Sequence, residues 1–209
     1  MKKFALLIDK IGVFLLSVLV NNLYASLLLI PIFLVSLLVN NQITDYILLF
    51  TLLMPLLGLS LEGLSFSYHE IFVNSKKYYK NHIFREIKKD FGKKYIFYLV
   101  IFFVSFYGTY SLFKLRDISH FLGFLAYLLL FIWVNVIFFT ILQISLREEI
   151  KLKQVIINSI ILTIKYFYIS LINFVIAFVL INFLGINLLR LYIFINLLAF
   201  AMVFINKNI

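Results

Sequence analysis

The chain has 209 residues, of which 64% are hydrophobic, 19% aromatic and 13% charged, with a formal net charge of +10. A soluble domain of this size carries about a quarter charged residues, so 19 Lys or Arg and nine Asp or Glu side chains leave a surface that must largely meet lipid. The absence of cysteine excludes disulfides, thiolate catalysis and thiolate metal sites, and no hydrophilic stretch is long enough for a nucleic-acid-binding module.

In chain order, Met1–Lys10 is a basic lead carrying Lys2, Lys3 and Lys10. It has the charge of a signal peptide, but the apolar character runs past a signal-peptide core, through Asn21 and Asn22 towards Val39. This reads as a retained first crossing over Ile11–Val39. The second crossing occupies Tyr46–Tyr68. Pro31 and Pro55 are expected to kink these two helices, because each removes a ladder hydrogen bond and clashes with the preceding turn. The carbonyls released are those of Leu27 and Thr51. Asn21 and Asn22 lie deep enough that at least one should face another helix or water.

Along the second crossing, Gly58, Glu62, Ser65 and His69 follow three- and four-residue steps on one face, with Ser60, Gly63 and Ser67 beside them. Small residues let backbones approach, so this helix is expected inside the bundle. An ionised carboxylate is costly in hydrocarbon, so Glu62 must face water, meet a partner or take a proton. Glu62, Ser65, His69, Asn21 and Asn22 form the candidate intramembrane polar site. The role of Glu62 is either a buried or subunit-facing hydrogen bond, or transport, proton relay or ligand binding, or a place at the lipid interface, and helix–helix hydrogen bonding is expected of Asn21 and Asn22.

Asn74–Lys94 follows, with eight Lys or Arg and two acids. Within Ile83–Tyr95, Ile83, Phe84, Ile87 and Phe91 recur at helical spacing, while Arg85, Lys88, Lys89, Lys93 and Lys94 supply charge. Such a helix can lie at the headgroup boundary. Lys76, Lys77 and Lys80 join these bases as candidate contacts to lipid or a protein partner. The third crossing is Tyr95–Phe113 and the fourth Phe121–Leu142. A second basic elbow, Glu148–Lys165, carries Lys151, Gln154 and Asn158 on one side, and Lys151 and Lys153 are candidate contacts there. Lys165 either ends an interfacial helix and snorkels, or sits a third of the way into a long, tilted fifth span. The fifth crossing centres on Tyr166–Leu184. After Gly185 the sixth runs Ile186–Ile205, with Arg190 snorkelling near its outer end.

Charge placement tests this parse. Six crossings put both termini and the two elbows on one side, with fifteen basic residues, against Lys114 and Arg116 opposite. By the positive-inside rule the basic side, with both termini, is cytoplasmic. Catalysis finds no support. His69–Glu70 resembles the start of a zinc motif, but Val73, Asn74 and Ser75 follow where a second histidine is needed. His82 and His120 fall on opposite sides. Ser65 and His69 have helical spacing without an oxyanion site, and no glycine-rich phosphate loop occurs. No enzyme activity, metal or cofactor is expected.

The segment Phe84-Arg85-Glu86-Ile87-Lys88-Lys89-Asp90-Phe91-Gly92-Lys93-Lys94, leading into Tyr95-Ile96-Phe97, resembles the cytoplasmic elbow of the YesL-like bacterial membrane proteins. Leu28-Leu29-Ile30-Pro31-Ile32-Phe33 is similar to their Pro-Ile-Phe region, without its small-residue and glycine continuation. Leu152-Lys153-Gln154-Val155-Ile156-Ile157-Asn158-Ser159, with the Lys165 region, resembles their second elbow. Some members are linked to carbohydrate-use systems, so the resemblance implies a transport-associated role.

The expectation is an all-α fold: one integral membrane domain over 1–209, a polytopic bundle of about six transmembrane helices with basic amphipathic cytoplasmic elbows. Its expected place is the bacterial cytoplasmic membrane, as an accessory or assembly component of a transport or envelope system. The alternative is a small permease with a polar path near Glu62. Expected partners are anionic lipid headgroups and transport-system subunits, not nucleic acid.

Overall fold

The structure, a computed structural model, describes residues 2–38, 47–72, 82–146, 151–184 and 188–206. The helices, in order, are α1 (Lys2–Leu38), α2 (Ile47–Leu53), α3 (Pro55–Phe72), α4 (His82–Lys88) and α5 (Phe91–Ile118). They continue with α6 (His120–Leu146), α7 (Leu152–Lys165), α8 (Phe167–Leu184) and α9 (Leu188–Asn206). Among the described residues four spans are long and apolar enough to cross a bilayer: Leu15–Val35, Leu48–Ile71, Phe91–Leu112 and His120–Leu146. They fall on the first four expected crossings. The pair Leu152–Lys165 and Phe167–Ile176 makes a fifth if it is one bent span, while the described apolar part of α9, Ile195–Phe204, is shorter. Gly185, expected to separate the last two crossings, lies outside the described residues.

The outward faces explain why these helices need lipid. Leu15, Leu19, Leu23 and Leu27 recur every four residues along α1 and are each half or more exposed. Ile96, Val100, Phe103 and Tyr107 on α5, and Phe121, Phe124 and Leu128 on α6, recur at three- and four-residue steps and are all exposed, from 43% to 68%. Leaving one such side chain in water forgoes about 1.5–3 kcal/mol of burial, so a coat of them is stable only in hydrocarbon. The chain is a helical, apolar, membrane-spanning protein of the multi-pass kind.

α3 is the central post, touching α1, α4, α5, α6 and α9. Its Leu59 and Leu64 are wholly buried, against a core that includes Ala25 and Leu29 of α1, Phe138 and Ile141 of α6, and Met202 of α9. The expected inside position of the second crossing, read from its small residues, is the one adopted.

Pro55, Asp90 and Tyr166 each mark a break between helices, whereas Pro31 does not. At Pro55, which has no N–H to donate, α2 stops at Leu53 and a turn at Met54 leads into α3. The Tyr95 hydroxyl of α5 donates to the carbonyl of Leu52 at this break, 2.5 Å away. That is one residue on from the Thr51 carbonyl expected to be released. α1, by contrast, passes through Pro31 without a break. The expected helix over Ile83–Tyr95 is instead two. α4 ends at Lys88, and Asp90 takes a left-handed backbone (φ 56°) before α5 starts. A short polar side chain tolerates that conformation better than most, and the turn folds α4 back onto α3. Finally, α7 and α8 part at Tyr166 and meet at 99°. Lys165 therefore ends a helix and does not sit inside a straight span.

Candidate functional site

α3 brings its one mid-span carboxylate to a junction with α4 and α5. At Gly58, an added Cβ would lie 2.7 Å from the Tyr98 ring. The missing side chain is what lets Tyr98 lie against α3, and its hydroxyl donates to Glu62 Oε2 at 2.8 Å. At Gly63 an added Cβ would meet the Ile83 methyl at 3.0 Å, so α4 also packs close. That approach sets Glu86 beside the first turn of α5, from which Lys94 reaches inward.

Lys94 Nζ donates to Glu62 Oε1, to Glu86 Oε1 at 3.1 Å and to the Glu86 carbonyl at 3.1 Å. An ammonium has three donors, and all three are engaged. The Glu62 side chain is fully buried, and those of Lys94 and Glu86 are only 11% and 14% exposed. Two carboxylates thus share one ammonium, with a phenol completing the set. Chemically this is a clamp. Both Glu62 oxygens already accept hydrogen bonds, and removing one member of such a buried pair costs about 3–5 kcal/mol.

A second polar cluster lies between α1, α3 and α9. The Tyr68 hydroxyl is 3.0 Å from Asn22 Oδ1 and 2.7 Å from Asn196 Oδ1. A hydroxyl has one proton, so one of the two amides must be turned to donate to it. Asn21 is buried and donates within its own helix to the Ser17 carbonyl at 2.8 Å. Glu62 and Asn22, expected in one site, therefore take different partners on different helices. Ser65 is fully buried, and its hydroxyl has no protein partner among the described residues. His69 is half-buried, two turns along α3 from Glu62.

A third cluster fixes α7. Gln143 Nε2 and Thr140 Oγ1 of α6 donate to Ser159 Oγ at 2.8 and 3.0 Å. Ser159 donates in turn to the Val155 carbonyl at 2.8 Å, and Ser170 of α8 reaches back across the bend to the Thr163 carbonyl at 3.0 Å.

The candidate contact lysines divide. Lys88, Lys89 and Lys93 are exposed near the first elbow, and Lys151 and Lys153 at the second. Lys93 makes a loose exposed pair with Asp90 at 3.4 Å. Lys94, expected to face headgroups or a partner, is instead turned inward onto Glu62. Lys76, Lys77, Lys80 and the Arg85 side chain lie outside the described residues. Sequence reading missed Lys94 and Tyr98 as the partners of Glu62, and Glu86 as the second acceptor for Lys94. A signal was present: Lys94 and Tyr98 are four residues apart, which stacks a cation and a phenol on one helix face. Among the described residues, no three His, Asp or Glu side chains converge as metal ligands. No family model, curated protein or solved structure matches the chain.

Proposed function

We propose that the protein is a non-catalytic, YesL-like component of the bacterial cytoplasmic membrane that assembles with a transport or envelope system, its two termini and basic elbows cytoplasmic. The observation that carries this reading is the clamp on the first elbow. Lys94, held by Glu62 and Glu86, ties α4 and the start of α5 to α3. Lys88, Lys89 and Lys93 then stand on the outside of an anchored surface. A cationic surface whose backbone is already fixed loses less entropy on docking a partner than a loose loop would, and it also suits anionic headgroups.

The test is copurification of the tagged full chain from native membranes with surrounding lipid retained. Subunits of a transport or envelope assembly are expected, and their loss in the Lys88→Glu/Lys89→Glu/Lys93→Glu variant, with membrane insertion unchanged. Recovery of lipid alone overturns the proposal. The permease reading ranks second, because cargo binding at Glu62 would have to displace an ammonium and a phenol already bonded to it. Substrate flux by the isolated protein in liposomes, abolished by Glu62→Gln, would reverse that order.

A further inference from the structure

α7 divides its surface into three sectors. Val155, Ser159 and Thr163, four residues apart, are buried towards the bundle. Ile157, Ile160, Ile161 and Ile164 make a second sector, each between 41% and 69% exposed. Lys151, which caps α7, and Gln154, Asn158 and Lys165 form the third, polar sector: Asn158 is half-buried and the other three exposed, while exposed Lys153 stands over the isoleucine sector in the first turn, at the end next to Lys151. A soluble amphipathic helix needs two sectors, one buried and one wet. A helix lying in a membrane surface against other helices needs three: protein, acyl chain and headgroup.

The bend gives the same answer independently. α7 meets the apolar start of α8 at 99°, so if α8 runs along the membrane normal α7 lies near the membrane plane. The exposed isoleucines continue round the bend into Phe167 and Tyr168, 51% and 83% exposed, and on to Leu171, Ile172 and Val175 of α8. The apolar sector is therefore continuous with a lipid-facing surface. Aromatic side chains at the turn sit where such rings favour the headgroup level. Between Lys151 and Lys165 there are three lysines and no acid.

We infer that α7 is an in-plane helix at the headgroup level, its isoleucine sector in the acyl chains and its lysines recruiting anionic phospholipid. This rests on the headgroup-binding part of the proposed function and names the helix and lipid class responsible. The charge favours an anionic lipid over a zwitterionic one by roughly fivefold for each lysine at the surface.

The chain has no cysteine, so single cysteines can be placed along α7 in the full-length protein. Nitroxides at successive positions from Gln154 to Ile164, in nanodiscs, should give oxygen-over-nickel-chelate accessibility that oscillates with the helical period. Maxima are expected at Ile157, Ile160 and Ile164, the minimum at Asn158, and intermediate values at Gln154 and Ile161, which share the boundary between the two sectors, with no net trend. A steady change in depth along the helix, or aqueous values throughout, overturns the inference. For the lipid, a fluorophore at Ile161→Cys is quenched by spin-labelled phosphatidylglycerol or phosphatidylcholine in an equimolar bilayer. Several-fold preference for the glycerol lipid is expected, falling towards one in Lys151→Gln/Lys153→Gln/Lys165→Gln and in 1 M salt, where the Debye length shrinks to about 3 Å. No preference in the unsubstituted protein overturns the anionic-lipid assignment. Both readouts use purified protein and lipid, so their failure leaves recovery of transport subunits as a separate question.

Discussion

At the first elbow, α4 and α5 are tied to α3 by charge: Lys94 between Glu62 and Glu86, with Tyr98 on the second Glu62 oxygen. At the second, α7 is tied to α6 and α8 by neutral groups, Thr140, Gln143 and Ser159 on one side of the bend and Ser170 across it. Both elbows are basic segments leading into an apolar helix, yet their tolerance of damage differs in kind. Removing one member of an ion cluster leaves a buried charge with no counter-ion, a far larger penalty than a lost neutral hydrogen bond. The small residues follow the same division. Gly58 and Gly63 allow close approach at the charged elbow, whereas the neutral elbow brings α6 and α7 together through the short side chains of Thr140 and Ser159, 3.0 Å apart.

That contrast breaks most readily at Lys94. Lys94→Met is expected to destabilise the protein by about 3–5 kcal/mol, measured by steric trapping in nanodiscs. Adding Glu62→Gln should recover part of the loss, since the fully buried carboxylate is then neutral and only the less buried Glu86 is left without its counter-ion. If Lys94→Met unfolds like the parent, charge does not hold the first elbow. Next in size is Gly58→Ala, whose new Cβ would stand 2.7 Å from the Tyr98 ring. Overpacking of this kind costs about 1–3 kcal/mol, and it should exceed the loss in Tyr98→Phe, which removes only the hydroxyl. Equal losses would mean that the ring has room to move and that the close approach at Gly58 is unimportant.

Several parts of this arrangement were legible in the sequence. Apolar length placed the first four spans, and the Gly and Ser pattern placed α3 at the centre, because both depend on local composition. The partner of Glu62 was not legible as read, since Lys94 stands 32 residues away among bases that do face outward. Charge counting treats those bases alike, and only the turn at Asp90 rotates Lys94 inward while leaving Lys93 outside. The break inside Ile83–Tyr95 was hidden for the same reason: the apolar period runs smoothly through a backbone reversal that a single aspartate makes. Likewise, the packing role of Ser159 is visible only once α6 brings Thr140 and Gln143 to its hydroxyl.

The neutral elbow should respond more mildly. Ser159→Ala removes the shared partner of Thr140 and Gln143, and hydrogen bonds between membrane helices average about 0.6 kcal/mol with a ceiling near 1.7. A loss of about 1 kcal/mol is expected by the same unfolding measurement, with the elbow at Lys94 unaffected in a double variant because the two sites share no partner. A loss as large as that of Lys94→Met would erase the distinction between charged and neutral elbows.

The smallest effect is expected at Tyr95, where the two halves of the second crossing meet α5. Its hydroxyl donates to the Leu52 carbonyl beside the Pro55 break, and its ring also stacks on Phe91 with centroids 5.9 Å apart. Tyr95→Phe keeps the ring and removes the donor, so a loss of about 0.5 kcal/mol is expected, at the low end for a hydrogen bond. Pro55→Ala separates the two contributions. Restoring the N–H at position 55 lets the helix close through Met54, and the Leu52 carbonyl then takes its regular partner four residues on. In that background Tyr95→Phe should cost nothing further. A loss that persists would show that Tyr95 acts through its ring and that the break at Pro55 stands without it.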